Sequence, residues 1–185
     1  MLNSPIGNFP EAWRAIDRPD LVGEPVSRAL ATLEGAEQVL VVDTDPDLAD
    51  TANFCQAYEV PLEASANCVV VSGKRGERVS YAACVVLATT RADVNGMVRK
   101  HLDARKASFA PIDTAVAETG MEYGGITPIG LPADWAILVD AAIADLPHVI
   151  IGSGRRRGKL LLPGKVLAAV PGAQTVAGLG VVALP

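Results

Sequence analysis

Gly124, Gly125 and Gly130 fall in GMEYGGITPIGLP (residues 120–132), and Gly152, Ser153 and Gly154 fall in IIGSGRRRGK (residues 150–159). A glycine has no Cβ, so backbone beside it can take unusual angles and come close to a ligand. Thr127 adds a hydroxyl. Pro128 and Pro132 fix φ and remove amide donors, which excludes a helix or a central strand across the first stretch. The stretch reads either as a connecting turn, the usual use of Gly and Pro, or as a backbone cradle that approaches a ligand closely. Cations gather nearby in sequence: Arg91, Arg99, Lys100, Arg105 and Lys106 in residues 89–106, and Arg155, Arg156, Arg157 and Lys159 in residues 152–159. Such runs most often form a solvated face and otherwise offer charge to a polyanion, while the net charge of -5 argues against a protein that coats nucleic acid with positive charge.

Other constellations fit less well. In VLVVDTDPD (39–47) an apolar run ends in Asp43 and Asp45, the Asp-x-Asp arrangement of metal-dependent phosphatases. That chemistry needs Mg²⁺, hence a further acidic pair, which Asp134, Asp140 and Asp145 do not form. Asp45 before Pro46 reads more simply as a helix N-cap, and a phosphatase remains the lesser alternative. GSGRRRGK leaves three or five residues, not four, between Gly and Gly-Lys, and Leu160 follows the lysine, so it is not a P-loop. His101 and His148 sit apart from any nucleophile pattern. Cys55, Cys68 and Cys84 lack CxxC spacing and read as reduced core residues. Neither a metal site nor a cofactor is implied.

The elements that must position these residues follow from periodicity. With 185 residues, half of them hydrophobic and 20% charged, the chain has the size of one domain with its own core. Its apolar runs are too short to cross a bilayer, and the N-terminus lacks the basic and apolar regions of a signal peptide, which predicts a cytoplasmic protein without membrane contact. The spacing predicts helices over 25–34, 45–60 and 111–119, and strands over 37–43, 135–140, 148–154 and 159–162. CVVVSG (68–73) and VSYAACVVLATT (79–90) predict a hairpin. Thr90 and Asp93 look like a T-x-x-D cap for a basic amphipathic helix, and residues 163–180 predict a short helix and an edge strand. Mixed helices and strands without regular βαβ alternation predict a single α+β domain around a mixed sheet.

EYGGITPIGLP, then ILVD, then IIGSGRRRGKLLLP, at these separations, resembles the YbaK/prolyl-tRNA synthetase-associated domain family of aminoacyl-tRNA deacylases. The similarity runs from about residue 40 to the C-terminus, leaving 1–35 as an N-terminal helical extension before a domain at 36–185. The resemblance implies a mixed, partly barrel-like sheet and a trans-editing hydrolase that deacylates tRNA mischarged with a small amino acid. Its partners would be the acceptor end of an aminoacyl-tRNA and an aminoacyl-tRNA synthetase.

The resemblance also implies site residues. Asn67, Gly125 and Ser153 would serve catalysis; Gly124, Thr127, Pro128, Gly130, Gly152 and Gly154 would line the substrate site; and Arg99, Lys100, Arg105, Arg155 and Arg156 would meet tRNA. Family members active in deacylation carry a lysine in a K-T-L-like segment, where SANCVVV here puts Asn67, and an amide donates a hydrogen bond but supplies no charge. That departure keeps open a second function, a domain that binds an aminoacyl-tRNA end or amino-acid ester without hydrolysing it.

Overall fold

The computed structural model describes residues 2–182, so the last three residues of the expected 36–185 domain lie outside the described residues. Strand β1 (Trp13–Arg14) leads to helix α1 (Glu24–Leu30), which begins after Gly23 with a proline in its first turn, and then to β2 (Leu40–Asp43). The helix expected over 45–60 is divided. Asp45 accepts the Asp47 N–H and caps a 3₁₀ turn, Pro46–Leu48; Asp50 accepts from Ala52 and Asn53 and starts α2 (Thr51–Ala57) anew. A second short carboxylate competes for the backbone donors of the first turn and restarts the helix.

The hairpin forms as its alternation predicts: β3 (Ala66–Arg75) and β4 (Arg78–Leu87) pair without a break from Ala66↔Leu87 to Arg75↔Arg78. The T-x-x-D cap does not form. Thr90 lies in β5 (Thr90–Ala92), and Asp93 alone caps, accepting the Gly96 and Met97 N–H groups ahead of a π-helical turn, Val94–Val98, and α3 (Arg99–His101). The basic segment is thus a short helix flanked by strands, since β6 (Lys106–Phe109) follows directly. Helix α4 (Ile112–Thr119) stops at Gly120 with φ 65°, a left-handed cap that a glycine adopts freely.

The rest comprises β7 (Ala136–Asp140), α5 (Ala141–Ala144), β8 (Val149–Gly152), β9 (Gly158–Leu162), α6 (Gly164–Ala168), β10 (Ala173–Val176) and β11 (Gly180–Val182). An antiparallel sheet runs β1-β2-β9-β8, a mixed sheet runs β10-β7-β4-β3-β6, and β11 pairs with β5. The fold is a single α+β domain, and neither large sheet closes into a barrel. A bridge between Ser65 and Ile150 joins the two large sheets at the foot of β3.

One face of the mixed sheet packs on the antiparallel sheet and α1, through Val85, Ile137 and Val139 against Val41, Ile151 and Leu160. The opposite face holds Val71, Cys84 and Val86 against Val98 and Leu102 of the basic segment. Within residues 2–35, β1 pairs with β2, and Leu21, Val22, Val26, Leu30 and Leu33 belong to the largest buried cluster. Among the described residues no helix is long and apolar enough to cross a membrane.

Candidate active site

Two loops meet through their main chains. The Glu122 N–H donates to the Gly154 carbonyl (3.0 Å), and the Gly154 N–H donates to the Gly125 carbonyl (2.7 Å). An approach this close is open only to glycine. A Cβ on Gly125 would stand 2.4 Å from the Arg155 carbonyl oxygen, and one on Gly152 would stand 2.4 Å from that of Gly125. The glycine-turn loop is anchored in turn on the N-terminal segment. The Ser153 hydroxyl donates to the Leu21 carbonyl (2.8 Å), the Gly23 N–H to the Ser153 carbonyl (2.8 Å), and Arg155 Nε to the Val22 carbonyl (2.8 Å).

A pocket of about 470 Å³ opens in front of these loops, between β3, β8 and α2, a size usual for a small-molecule site. Of the residues singled out from sequence, Asn67, Gly124 and Gly152 line it. The others stand behind or away from it. Gly125 and Ser153 are buried where the two loops meet. Gly130 (φ 87°) packs on the Pro25 carbonyl, and Gly154 (φ 83°) packs on Val26 and Gly23. Pro128 is buried, and Thr127 is fully buried with a hydroxyl that has no hydrogen-bond partner among the described residues. Most of the glycine pattern therefore packs loop on loop and loop on α1, and the wall it gives the pocket is the segment at Tyr123, Gly124 and Ile126.

Asn67 is the second residue of β3. The Ala88 N–H bonds to the Ser65 carbonyl (2.8 Å), so the register turns the peptide groups of Ser65, Asn67 and Val69 towards β4 and those of Ala66, Cys68 and Val70 to the opposite edge. On that edge β6 pairs only from Val71 onwards, and the Val70 carbonyl takes the Ala110 N–H (2.9 Å). Among the described residues no strand faces the Cys68 peptide group at the pocket wall. The Asn67 side chain is held from α2: the Thr51 hydroxyl donates to Asn67 Oδ1 (2.8 Å), which leaves the amide N–H₂ to donate elsewhere. The capped start of α2 at Asp50 is what places Thr51 there.

Small apolar residues, among them Ala49, Ala66, Val70, Ala110 and Ala115, form much of the lining. At the mouth stand three exposed large hydrophobic side chains, Phe109, Ile112 and Tyr123. The Cys68 thiol lines the pocket, but burial pushes its pKa far above the usual thiol range, so it does not serve as a thiolate.

Sequence reasoning did not single out Lys159 for the site. It lines the pocket from β9, with Nζ 3.3 Å from the Gly124 carbonyl and 5.3 Å from the centre of the Phe54 ring. Burial lowers its pKa, with Arg156 adding to the effect. The signal was period-two alternation: Lys159 shares a strand face with Leu161, an interior position.

The predicted tRNA contacts divide between two faces. Arg156 lies beside the pocket wall, its Nη1 3.4 Å from the position of a Cβ on Gly124, and its Nε donates to the Pro46 carbonyl (2.8 Å). Arg155 is held between the Val22 carbonyl and Glu122. Arg99, Lys100 and Arg105 belong to the segment that packs on the other face of the mixed sheet, and none lines the pocket. Asp43 is gripped by the guanidinium fork of Arg157, and Asp45 caps its turn, so both carboxylates of the Asp-x-Asp pattern are engaged.

Comparison with known proteins gives the fold and the family. Among solved structures the chain is similar to a proposed trans-editing enzyme for prolyl tRNA synthetase, with TM-score 0.69 and 22% identity over 83% of this chain and 93% of that one. It is also similar to a scaffold protein from computational epitope backbone grafting, with TM-score 0.70 and 22% identity over 84% and 95%. The hypothetical protein APE2540 gives TM-score 0.66 and 20% identity over 76% and 90%. These likenesses establish the shared fold. No curated protein matches the sequence. A family model described as the aminoacyl-tRNA editing domain matches residues 45–170, which include α2, Asn67, both loops and Lys159, and the chain belongs to that family.

Proposed function

We propose that the pocket hydrolyses the ester that joins a small, wrongly attached amino acid to the 3′ end of a tRNA. The observation that carries this reading is Asn67, locked by Thr51 at a pocket walled by small apolar side chains and by Gly124. An aminoacyl ester is already activated, so catalysis needs orientation, a placed water and donors at the developing oxyanion more than a nucleophilic side chain. Water attacks the carbonyl carbon, the negative charge gathers on the carbonyl oxygen, and the bond to the ribose oxygen breaks. That oxygen takes a proton, and the free amino acid leaves.

The apolar wall favours a small side chain, because a larger one must displace residues that are already packed. Phe109 and Tyr123 at the mouth offer aromatic faces on which the terminal adenine can stack. Arg155 and Arg156 beside the loop, and Arg99, Lys100 and Arg105 further round, would meet phosphates of the acceptor arm. A synthetase that supplies the mischarged tRNA is the natural partner, in the cytoplasm. Since one similar structure is described as acting for prolyl tRNA synthetase, tRNA for proline bearing a small amino acid is the first substrate to test.

A second reading rests on Asn67 itself, which brings an amide where a deacylase of this kind is expected to bring a charge. On that reading the domain binds the aminoacyl end and shields it. Release of free amino acid from a mischarged tRNA supports hydrolysis; protection of the ester without release supports binding.

A further inference from the structure

On β9, Leu160 and Leu162 enter the largest core cluster, while Leu161 turns the other way, towards Phe54 and Ile150. Lys159 precedes Leu161 by two residues and shares its face, so an ammonium stands where the strand pattern calls for an apolar group. It touches the Gly124 carbonyl and the face of Phe54. No carboxylate is within ion-pair distance of it among the described residues. Asp50 lines the same pocket, but its carboxylate caps α2 through Ala52 and Asn53. None of the neighbouring arginines lines the pocket, although Arg155 holds the Val22 carbonyl, Arg156 that of Pro46 and Arg157 the Asp43 carboxylate.

A partly desolvated charge without a counter-ion is costly, and a pocket that retains one is suited to a ligand that brings the opposite charge. We infer that Lys159 is the substrate-contacting cation of this pocket. Its ammonium meets an anionic oxygen of the aminoacyl-adenosine end, either the oxyanion forming at the ester or the phosphate that joins the last nucleotide. Position 67 has no charge to offer, and the pocket draws its cation from the opposite sheet instead. The inference rests on the deacylase reading above and deepens it.

Two adenosine derivatives that cannot be hydrolysed separate the two sources without turnover. One carries an aminoalkylphosphonate on the 3′ oxygen, which puts negative charge at the acyl position. The other carries an amide-linked amino acid and a 5′ phosphate. Lys159→Met, checked for a cooperative thermal transition like that of the wild type, is expected to bind one of them about tenfold or more weakly. Weaker phosphonate binding assigns Lys159 to the oxyanion, and deacylation of mischarged tRNA then falls in kcat by about 100-fold. Weaker binding of the 5′ phosphate derivative assigns it to the phosphate, with the loss on tRNA appearing in KM. Lys159→Arg, which keeps the charge, should recover part of the affinity. A folded Lys159→Met that binds both derivatives as the wild type does overturns the inference. If the wild type binds a derivative but hydrolyses no aminoacyl-tRNA, the deacylase reading falls, and the assignment of Lys159 stands or falls on the binding result alone.

Discussion

The hydroxyl of Thr51 lies 2.8 Å from Oδ1 of Asn67, sixteen residues further along the chain, so the first turn of α2 fixes an amide at the start of β3. The pairing sets which end of the amide is free: the oxygen is occupied, and the N–H₂ group remains to donate. Asn67→Ala is expected to lower kcat/KM for deacylation about 10- to 100-fold, equivalent to about 1.5–3 kcal/mol for a bond to developing charge. Thr51→Val, which frees the amide without removing it, should cost less than Asn67→Ala, and the double variant should show less than the sum because the two act together. Additive losses in steady-state kinetics would show that Thr51 does not act through Asn67.

Gly125 is required by close packing and not by backbone angle, since its φ is not among the left-handed glycines of the chain. A side chain there meets the Arg155 carbonyl at 2.4 Å, a main-chain group that cannot swing aside. Gly125→Val is therefore expected to push the two loops apart, cost about 1–3 kcal/mol as overpacking does, and lower Tm by roughly 2–12 °C. Activity falls with it, because Gly124 is carried on the same loop. Calorimetry and turnover measured on one preparation check both effects, and an unchanged Tm would refute the packing role.

Arg99, Lys100 and Arg105 lie on the sheet face away from the pocket, so they can influence a long polyanion but not a short substrate. Replacing all three by Ala should weaken tRNA binding and reduce the slope of log K against log salt by about 0.7–0.9 for each phosphate that the variant no longer neutralises. Hydrolysis of a minimal aminoacyl-adenosine should stay at the wild-type rate. Equal losses on both substrates would make the segment a structural support only.

Elements with local causes are legible in the amino-acid order. The β3–β4 hairpin follows from alternation, α4 and its stop at Gly120 from periodicity and a glycine, and the turn at Asp45 from an acidic cap before proline. Asp50 shows the limit, since two acidic caps so close together compete and only the folded chain reveals that each starts its own turn. Thr90 has the composition of a cap, yet its partner Val182 lies at the far end of the chain and makes it a strand residue.

The site divides along the same line. Of the residues that line the pocket, Gly124 and Gly152 each lie in a contiguous glycine motif, and Asn67 is reached only through the family resemblance, which implies a lysine at its place. Gly125, Gly130, Gly154 and Ser153 carry the same motif but meet Arg155, Pro25, Gly23 and Leu21, pairings that span up to 132 residues and leave no mark in local spacing. Lys159 belongs by composition to a basic run, whereas its strand face places it inside the pocket.

The most direct test is the time course of free amino acid released from a panel of mischarged tRNAs, beginning with tRNA for proline carrying a small amino acid, with the wild-type protein and without added metal. The account predicts release well above spontaneous hydrolysis for a small side chain, little release for a bulky one, and loss of the excess rate in Asn67→Ala. Release at the spontaneous rate across the whole panel, by a folded protein that binds the same tRNAs, would contradict it.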